Sequence, residues 1–392
     1  MEKIPEQYEL VLQQDLSDIH SKGTLLRHKK SGAMITLIEN DDVNKVFYIG
    51  FKTTPDDSTG VPHIIEHTVL CGSDKYPVKD PFVELVKGSM NTFLNAMTYP
   101  DKTVYPVAST NDKDFDNLID VYLDAVFHPN IYKHEEIFMQ EGWHYELESK
   151  DAPLTINGVV YNEMKGAYSS PEDVLEREVM NSLYPDTTYG VESGGDPKDI
   201  PNLTYENYLA FHKRYYHPSN SYIYIYGDCD MEKKLEYLDK EYLSHYDAID
   251  PKTDIKEQPA ISKIAEDKKP YPISAEESEE SKTYITLNNS FGDASDTKLS
   301  AALDTLDYAL LEAPGAPVRQ AILDAGLGTD VYGGAQTIQQ PYFSITVKGS
   351  DDSKKDKLLE VVNKTLKDLA ENGLDHRSLL AGINSDEFKY RE

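Results

Sequence analysis

From residue 251 to residue 281 the chain turns to Lys, Glu, Asp, Ser and Pro, and it includes the acidic run Glu276-Glu277-Ser278-Glu279-Glu280. A segment this polar cannot bury a core of its own. It divides the 392 residues into blocks that must each fold around a separate apolar centre. The expected division is a first domain over 1–250, a polar linker over 251–282 and a second domain over 283–392.

Within the first block, residues 34–38 and 46–51 read as paired strands and 103–107 as another. Residues 115–127 carry apolar side chains at helical spacing and stop at His128-Pro129. Residues 205–216 form a similar pattern, with Thr204 as N-cap and His217-Pro218 beyond it. The tyrosine-rich run 222–226 reads as a strand. The second block predicts strands at 283–287 and 342–348, with helices near 299–311, 318–323 and 354–369. Together these patterns predict an α+β fold: two related α/β sandwich-type domains, each a mainly antiparallel sheet with helices on one side, the second incomplete.

The chemistry concentrates in His63-Ile64-Ile65-Glu66-His67. On a helix, positions i and i+4 lie one turn apart on one face and i+3 borders it, so two imidazoles can grip one ion with a carboxylate beside them. Gly60 breaks what precedes, Pro62 suits a first turn, and Cys71-Gly72 offers a stop. This H-x-x-E-H order is the inverse of the common H-E-x-x-H zinc pattern. With 11 histidines in the chain, chance supplies about 0.03 such patterns, so a metal site is favoured over two surface histidines. Catalytic zinc usually takes three protein ligands and leaves a fourth position open. Spacing alone leaves the third ligand open among Glu135, Glu136, Glu141, His144, Glu146 and Glu163. Glu163 follows a short apolar run that enters a predicted helix through Asn162.

The run from His63 through Cys71-Gly72-Ser73, Tyr76-Pro77-Val78, Pro81-Phe82-Val83-Glu84-Leu85, Gly88-Ser89 and Asn91 to Ala96 as far as Thr98-Tyr99-Pro100-Asp101 resembles the pitrilysin/insulinase zinc peptidases, and within them the presequence-protease branch. Gln140-Glu141-Gly142-Trp143-His144-Tyr145-Glu146, Asn162-Glu163-Met164-Lys165-Gly166, Tyr168-Ser169-Ser170-Pro171 and Leu311-Glu312-Ala313-Pro314-Gly315-Ala316-Pro317 extend the match. The resemblance implies one zinc per chain held by His63, His67 and Glu163, with Glu66 as general base, and it implies metalloendopeptidase activity on short unfolded oligopeptides. It also implies an internal duplication and a chain at least about twice as long, so that a C-terminal half is an expected partner. That half carries an Arg and a Tyr that no position here matches. The chain alone is therefore expected to bind zinc but to be slow or silent, as a peptide-holding fragment or partner subunit would be. Asn95, Ala96, Met97 and Thr98 are the candidate sheet edge for pairing with a peptide, with an ordinary internal strand as the alternative.

Composition narrows the rest. A net charge of -30, from 39 basic and 69 acidic residues, argues against nucleic-acid binding. Such a surface favours solubility, and it favours cationic peptides if the charge lines the working face. The apolar runs are too short for a membrane span, and the first residues lack a signal or transit character, so cytoplasmic residence is expected. Cys71 and Cys229 have no metal-site or disulfide spacing and are expected to be reduced.

Overall fold

Every second residue of the tyrosine-rich run is buried, and this pattern organises the first half of the fold. The computed structural model describes residues 3–78, 81–261 and 263–391. In chain order the elements are β1 (Tyr8–Leu16), β2 (Ser21–His28), β3 (Met34–Glu39), β4 (Lys45–Lys52), α1 (Val61–Val69), α2 (Pro81–Gly88), β5 (Asn91–Leu94), β6 (Met97–Thr98) and β7 (Lys102–Ser109). After these come α3 (Asp112–Phe127), α4 (Glu135–Glu141), the hairpin β8 (His144–Glu146) and β9 (Thr155–Asn157), α5 (Val159–Ala167), α6 (Pro171–Leu183), α7 (Tyr205–Tyr215), β10 (Ser221–Gly227) and α8 (Met231–Glu241). One sheet runs in the order β1-β2-β3-β10-β4-β7-β5, and β6 also pairs with β7.

The expected direct pairing of 34–38 with 46–51 is not what forms. β10 inserts between β3 and β4, parallel to the first and antiparallel to the second. The register explains why. Leu26, Ile35, Ile223, Ile49 and Tyr105 align in one row across five strands, and all are buried. Burying one such side chain stabilises by about 1.5–3 kcal/mol. A strand bringing both Ile223 and Ile225 between two apolar rows therefore outcompetes pairing of sequence neighbours. Helices α1, α3, α7 and α8 pack on this face through Ile64, Ile65, Leu118, Tyr122, Tyr208 and Leu235.

The remaining elements are β11 (Thr283–Ser290), α9 (Thr297–Asp307), α10 (Pro317–Asp324), β12 (Asp330–Gln336), β13 (Tyr342–Ser350), α11 (Lys355–Asn372) and α12 (His376–Arg391). They form an antiparallel sheet, β11-β13-β12, over a core that includes Val318, Ile322, Val331, Val347, Leu358 and Val362. The expected helix at 299–311 is α9 followed by one π-helical turn, Tyr308–Glu312. Strand β12 was not expected from the sequence, because Gly333 and Gly334 dilute its β pattern.

The chain divides into two compact units that do not follow the sequence boundaries. Unit 1 comprises residues up to 170 and 186–255; unit 2 comprises 171–185 and 256 onward. Segment 171–185, expected in the first domain, belongs to unit 2 because its polar and aromatic groups are satisfied there. Glu172 accepts from Tyr284 and Lys348, Glu178 pairs with Lys269, and the Tyr184 hydroxyl donates to the Gln340 carbonyl at 2.6 Å. The described residues of 256–282 contain no helix or strand, in keeping with their composition, and cluster with unit 2. Among the described residues, no helix is long and apolar enough to cross a membrane.

Candidate metal centre

The site is built wholly within unit 1, on α1, α4 and α5. Helix α1 begins after Gly60, which has φ +71°, with Pro62 in its first turn. Its inner face is fixed by fully buried Ile64, Ile65 and Val69, and by Thr68, whose hydroxyl donates to the Ile64 carbonyl and accepts from Tyr208. The opposite face presents His63 and His67, whose rings meet edge-on with centroids 4.9 Å apart. Glu66 lies between them in sequence and is buried.

Backbone contacts between glycines bring the other carriers in. A Cβ on Gly60 would lie 2.7 Å from the Gly194 carbonyl oxygen, so only glycine lets the 191–196 loop approach the start of α1. The loop is stitched there by Asp196 N–H donating to the Ser58 carbonyl and Glu192 N–H donating to the Ser58 hydroxyl. His63 Nδ1 then meets the Gly194 carbonyl at 3.1 Å. A carbonyl only accepts, so Nδ1 carries the proton and Nε2 presents its lone pair. Likewise a Cβ on Gly158 would sit 2.1 Å from the Gly142 carbonyl oxygen, and this close approach sets the start of α5 against the end of α4. Helix α5 starts at Val159, not at Asn162 as expected: Gly158 occupies the N-cap position without a side-chain cap, and Asn162 lies inside the helix.

Helix α5 delivers Glu163. Its Oε2 lies 3.7 Å from His63 Nε2 and 3.7 Å from His67 Nε2. The three ligand atoms all fall within 4.8 Å of one another, the one such grouping among the described residues. Two atoms bound at about 2.0–2.1 Å to a tetrahedral ion lie about 3.3 Å apart. The two distances from Glu163 to the imidazoles lie within a few tenths of an ångström of that spacing, and two imidazoles with one carboxylate form a donor set that zinc accepts. Burial disfavours charge on His67, but its hydrogen bond to Glu141 and the charges of Glu66, Glu163 and Glu141 outweigh that and hold its pKa above the ordinary range. The pocket is thus negative enough to favour a cation.

The other third-ligand candidates are elsewhere. Glu135 and Glu136 are exposed at the start of α4; His144 Nδ1 bonds the Met139 carbonyl; Glu146 accepts from Asn157. Glu141 contacts the far nitrogen of His67, Nδ1, at 3.3 Å, and so faces away from the shared point. Of the candidate edge residues, Met97 and Thr98 form β6, which pairs with β7 beside α1. Asn95 N–H donates to the Pro106 carbonyl, and Ala96 packs partly buried against the core. The role of the Gly194 carbonyl was missed: 131 residues separate it from His63, and only the Gly60 and Gly194-Gly195 glycines hint at a close approach.

Two family descriptions match in tandem: "Insulinase (Peptidase family M16)" over residues 46–193 and "Peptidase M16 inactive domain" over 202–385. Protein HypA of Clostridium perfringens is 52% identical over 386 residues, covering 98% of this chain and 40% of the relative. Presequence protease 1, chloroplastic/mitochondrial, of Arabidopsis thaliana is 46% identical over 390 residues, covering 98% of this chain and 36% of its own length. The mitochondrial presequence protease of Xenopus tropicalis is 39% identical, with 93% and 36% covered. The chain thus spans 36 to 40% of the length of these curated relatives. Crystal structures of pitrilysin (TM-score 0.65, 16% identity, 95% of this chain and 39% of that one) and of a protease from Helicobacter pylori (TM-score 0.65, 16% identity, 99% and 85%) share the fold. The tandem match, together with relatives that align over nearly the whole chain, places this protein in peptidase family M16, the insulinase/pitrilysin peptidases.

Proposed function

We propose that the chain carries the catalytic site of a zinc metalloendopeptidase that hydrolyses short unfolded peptides. The observation that supports this best is the convergence of His63 Nε2, His67 Nε2 and Glu163 Oε2 beside a buried Glu66. His63, His67 and Glu163 would hold one zinc ion, which supplies Lewis acidity to acidify water and polarise a peptide carbonyl. Glu66 accepts the proton of the attacking water and returns it to the leaving amine. The margin of the sheet at β5 and β6 offers backbone groups to an extended peptide, with Asn95, Ala96, Met97 and Thr98 as the pairing segment.

A second reading, a zinc-bound module that holds peptides without cutting them, is favoured by the match of residues 202–385 to an inactive domain and by the 36 to 40% coverage of longer relatives. In that reading the remainder of such a protein is the partner that completes the site. A quenched flexible peptide separates the two. Under the first reading the wild-type chain cleaves it, and Glu66→Gln keeps its zinc while losing at least about 10²-fold in rate. Zinc-loaded chain with no cleavage above the Glu66→Gln level supports the holding module instead.

A further inference from the structure

Glu141 sits where it can decide how His67 meets an ion. Its Oε2 lies 3.3 Å from His67 Nδ1, and its Oε1 accepts from the Gln140 side chain at 2.9 Å. The residue is buried at the end of α4, where Gly142 allows tight packing against Ile64 of α1, so the carboxylate is held and not free to swing out. His63 receives the matching contact from a backbone carbonyl. The two imidazoles are therefore oriented by different means: one by a main-chain carbonyl, the other by a single side chain.

We propose that Glu141 is a positioning residue for the metal centre: by accepting the Nδ1 proton of His67 it fixes the tautomer in which Nε2 is the free donor, and it strengthens that nitrogen as a ligand. This rests on the reading of His63, His67 and Glu163 as ligands. The physical basis is general. An imidazole ligand whose other nitrogen donates to a carboxylate is locked in ring orientation and made more basic, and loss of such a partner typically costs about 10- to 100-fold in metal affinity. Without Glu141, His67 is free to populate the other tautomer, in which a proton occupies Nε2 and blocks coordination. His63 keeps its Gly194 contact throughout, so the loss is partial.

The test is zinc affinity, measured by competition with a chromogenic chelator, for the wild-type chain, Glu141→Ala and Glu141→Gln. The visible absorption of the cobalt-loaded proteins serves as a readout of ligand geometry. Glu141→Ala is expected to bind zinc about 10- to 100-fold more weakly and to shift the cobalt spectrum. Glu141→Gln, whose amide oxygen still accepts from Nδ1, recovers part of the affinity and of the spectrum. A packing role alone predicts no such recovery beyond that of thermal stability. If Glu141→Ala does not fold, Glu141→Gln decides: affinity and spectrum indistinguishable from wild type overturn the proposal, and an intermediate affinity with an altered spectrum upholds it. Glu141→Ala that folds and binds within twofold of wild type also overturns it. Absence of stoichiometric zinc in the wild-type chain would instead remove the metal centre itself, and the proposal with it.

Discussion

In unit 1 three glutamates, Glu66, Glu141 and Glu163, surround two imidazoles, while in unit 2 Asp307 is crowded by Glu312 and Asp304. Burial, then the Glu312 charge, push Asp307 up to about 6 against the pull of the Ala335 N–H. One of its oxygens is buried with no hydrogen-bond partner. The two units thus treat acid groups differently. The first surrounds imidazole nitrogens that a cation can join. The second leaves carboxylates opposing one another, with Lys389 acting against them only in part.

The contrast predicts opposite responses to pH, and the largest effect comes from His212. This residue is buried between the Tyr132 hydroxyl at 2.8 Å and the Val126 carbonyl at 3.0 Å, and burial pushes its pKa down to about 4. The unfolded chain protonates near its ordinary 6.5 and the folded one does not, so unit 1 loses stability as pH falls from 6.5 to about 4. The loss approaches about 3 kcal/mol, at about 1.4 kcal/mol per pKa unit. Trp143, the one tryptophan, lies in unit 1, so urea unfolding followed by its fluorescence in chelator reports that unit alone. His212→Gln should flatten the profile; an unchanged slope would mean that other groups set it.

Next in size is Gly60→Ala. The new methyl would meet the Gly194 carbonyl oxygen at 2.7 Å, at a φ of +71° that alanine disfavours. A loss of about 1–3 kcal/mol in unit 1 is expected, with weaker zinc binding as the loop leaves His63. The same fluorescence assay and a zinc titration measure both. Unaltered stability would show that the loop contact is not tight.

The smallest effect belongs to unit 2. Asp307 has a raised pKa, so its contribution is present below 3.8 and is lost as pH rises to about 6. Asp307→Asn should therefore stabilise unit 2 at pH 7, by about 1 kcal/mol once solvent screening at this partly buried position is allowed for. Hydrogen exchange of amides in β13 can follow it. No gain at pH 7 would remove the contrast between the units.

Local signals carried much of this fold. Thr204 caps α7 as its type and position predicted, accepting from the Asn207 N–H, and the helical spacing of 115–127 is realised in α3. The His63 to His67 pattern forms the expected helix because Gly60 and Pro62 act within one turn of it. What stayed hidden depends on partners distant in sequence. The insertion of β10 between β3 and β4 needs residues about 170–190 positions apart to compete with a nearby pairing, which follows from row-by-row burial and not from periodicity. Segment 171–185 reads as part of the first domain until Tyr284, Gln340 and Lys348 are brought to it. Spacing alone left Glu141 and Glu163 both open, and in sequence only the apolar run before Glu163 and the family resemblance favoured it. They are distinguished by which imidazole nitrogen each one faces, a property of helix packing at Gly142 and Gly158.

Whether unit 1 holds a three-ligand zinc centre on His63, His67 and Glu163 is decided by elemental analysis of the dialysed wild-type chain beside His67→Ala. About one zinc per wild-type chain is expected, and none retained stoichiometrically by the variant, since two remaining ligands do not make a closed site. Full zinc in His67→Ala, with both proteins folded, would contradict the assignment.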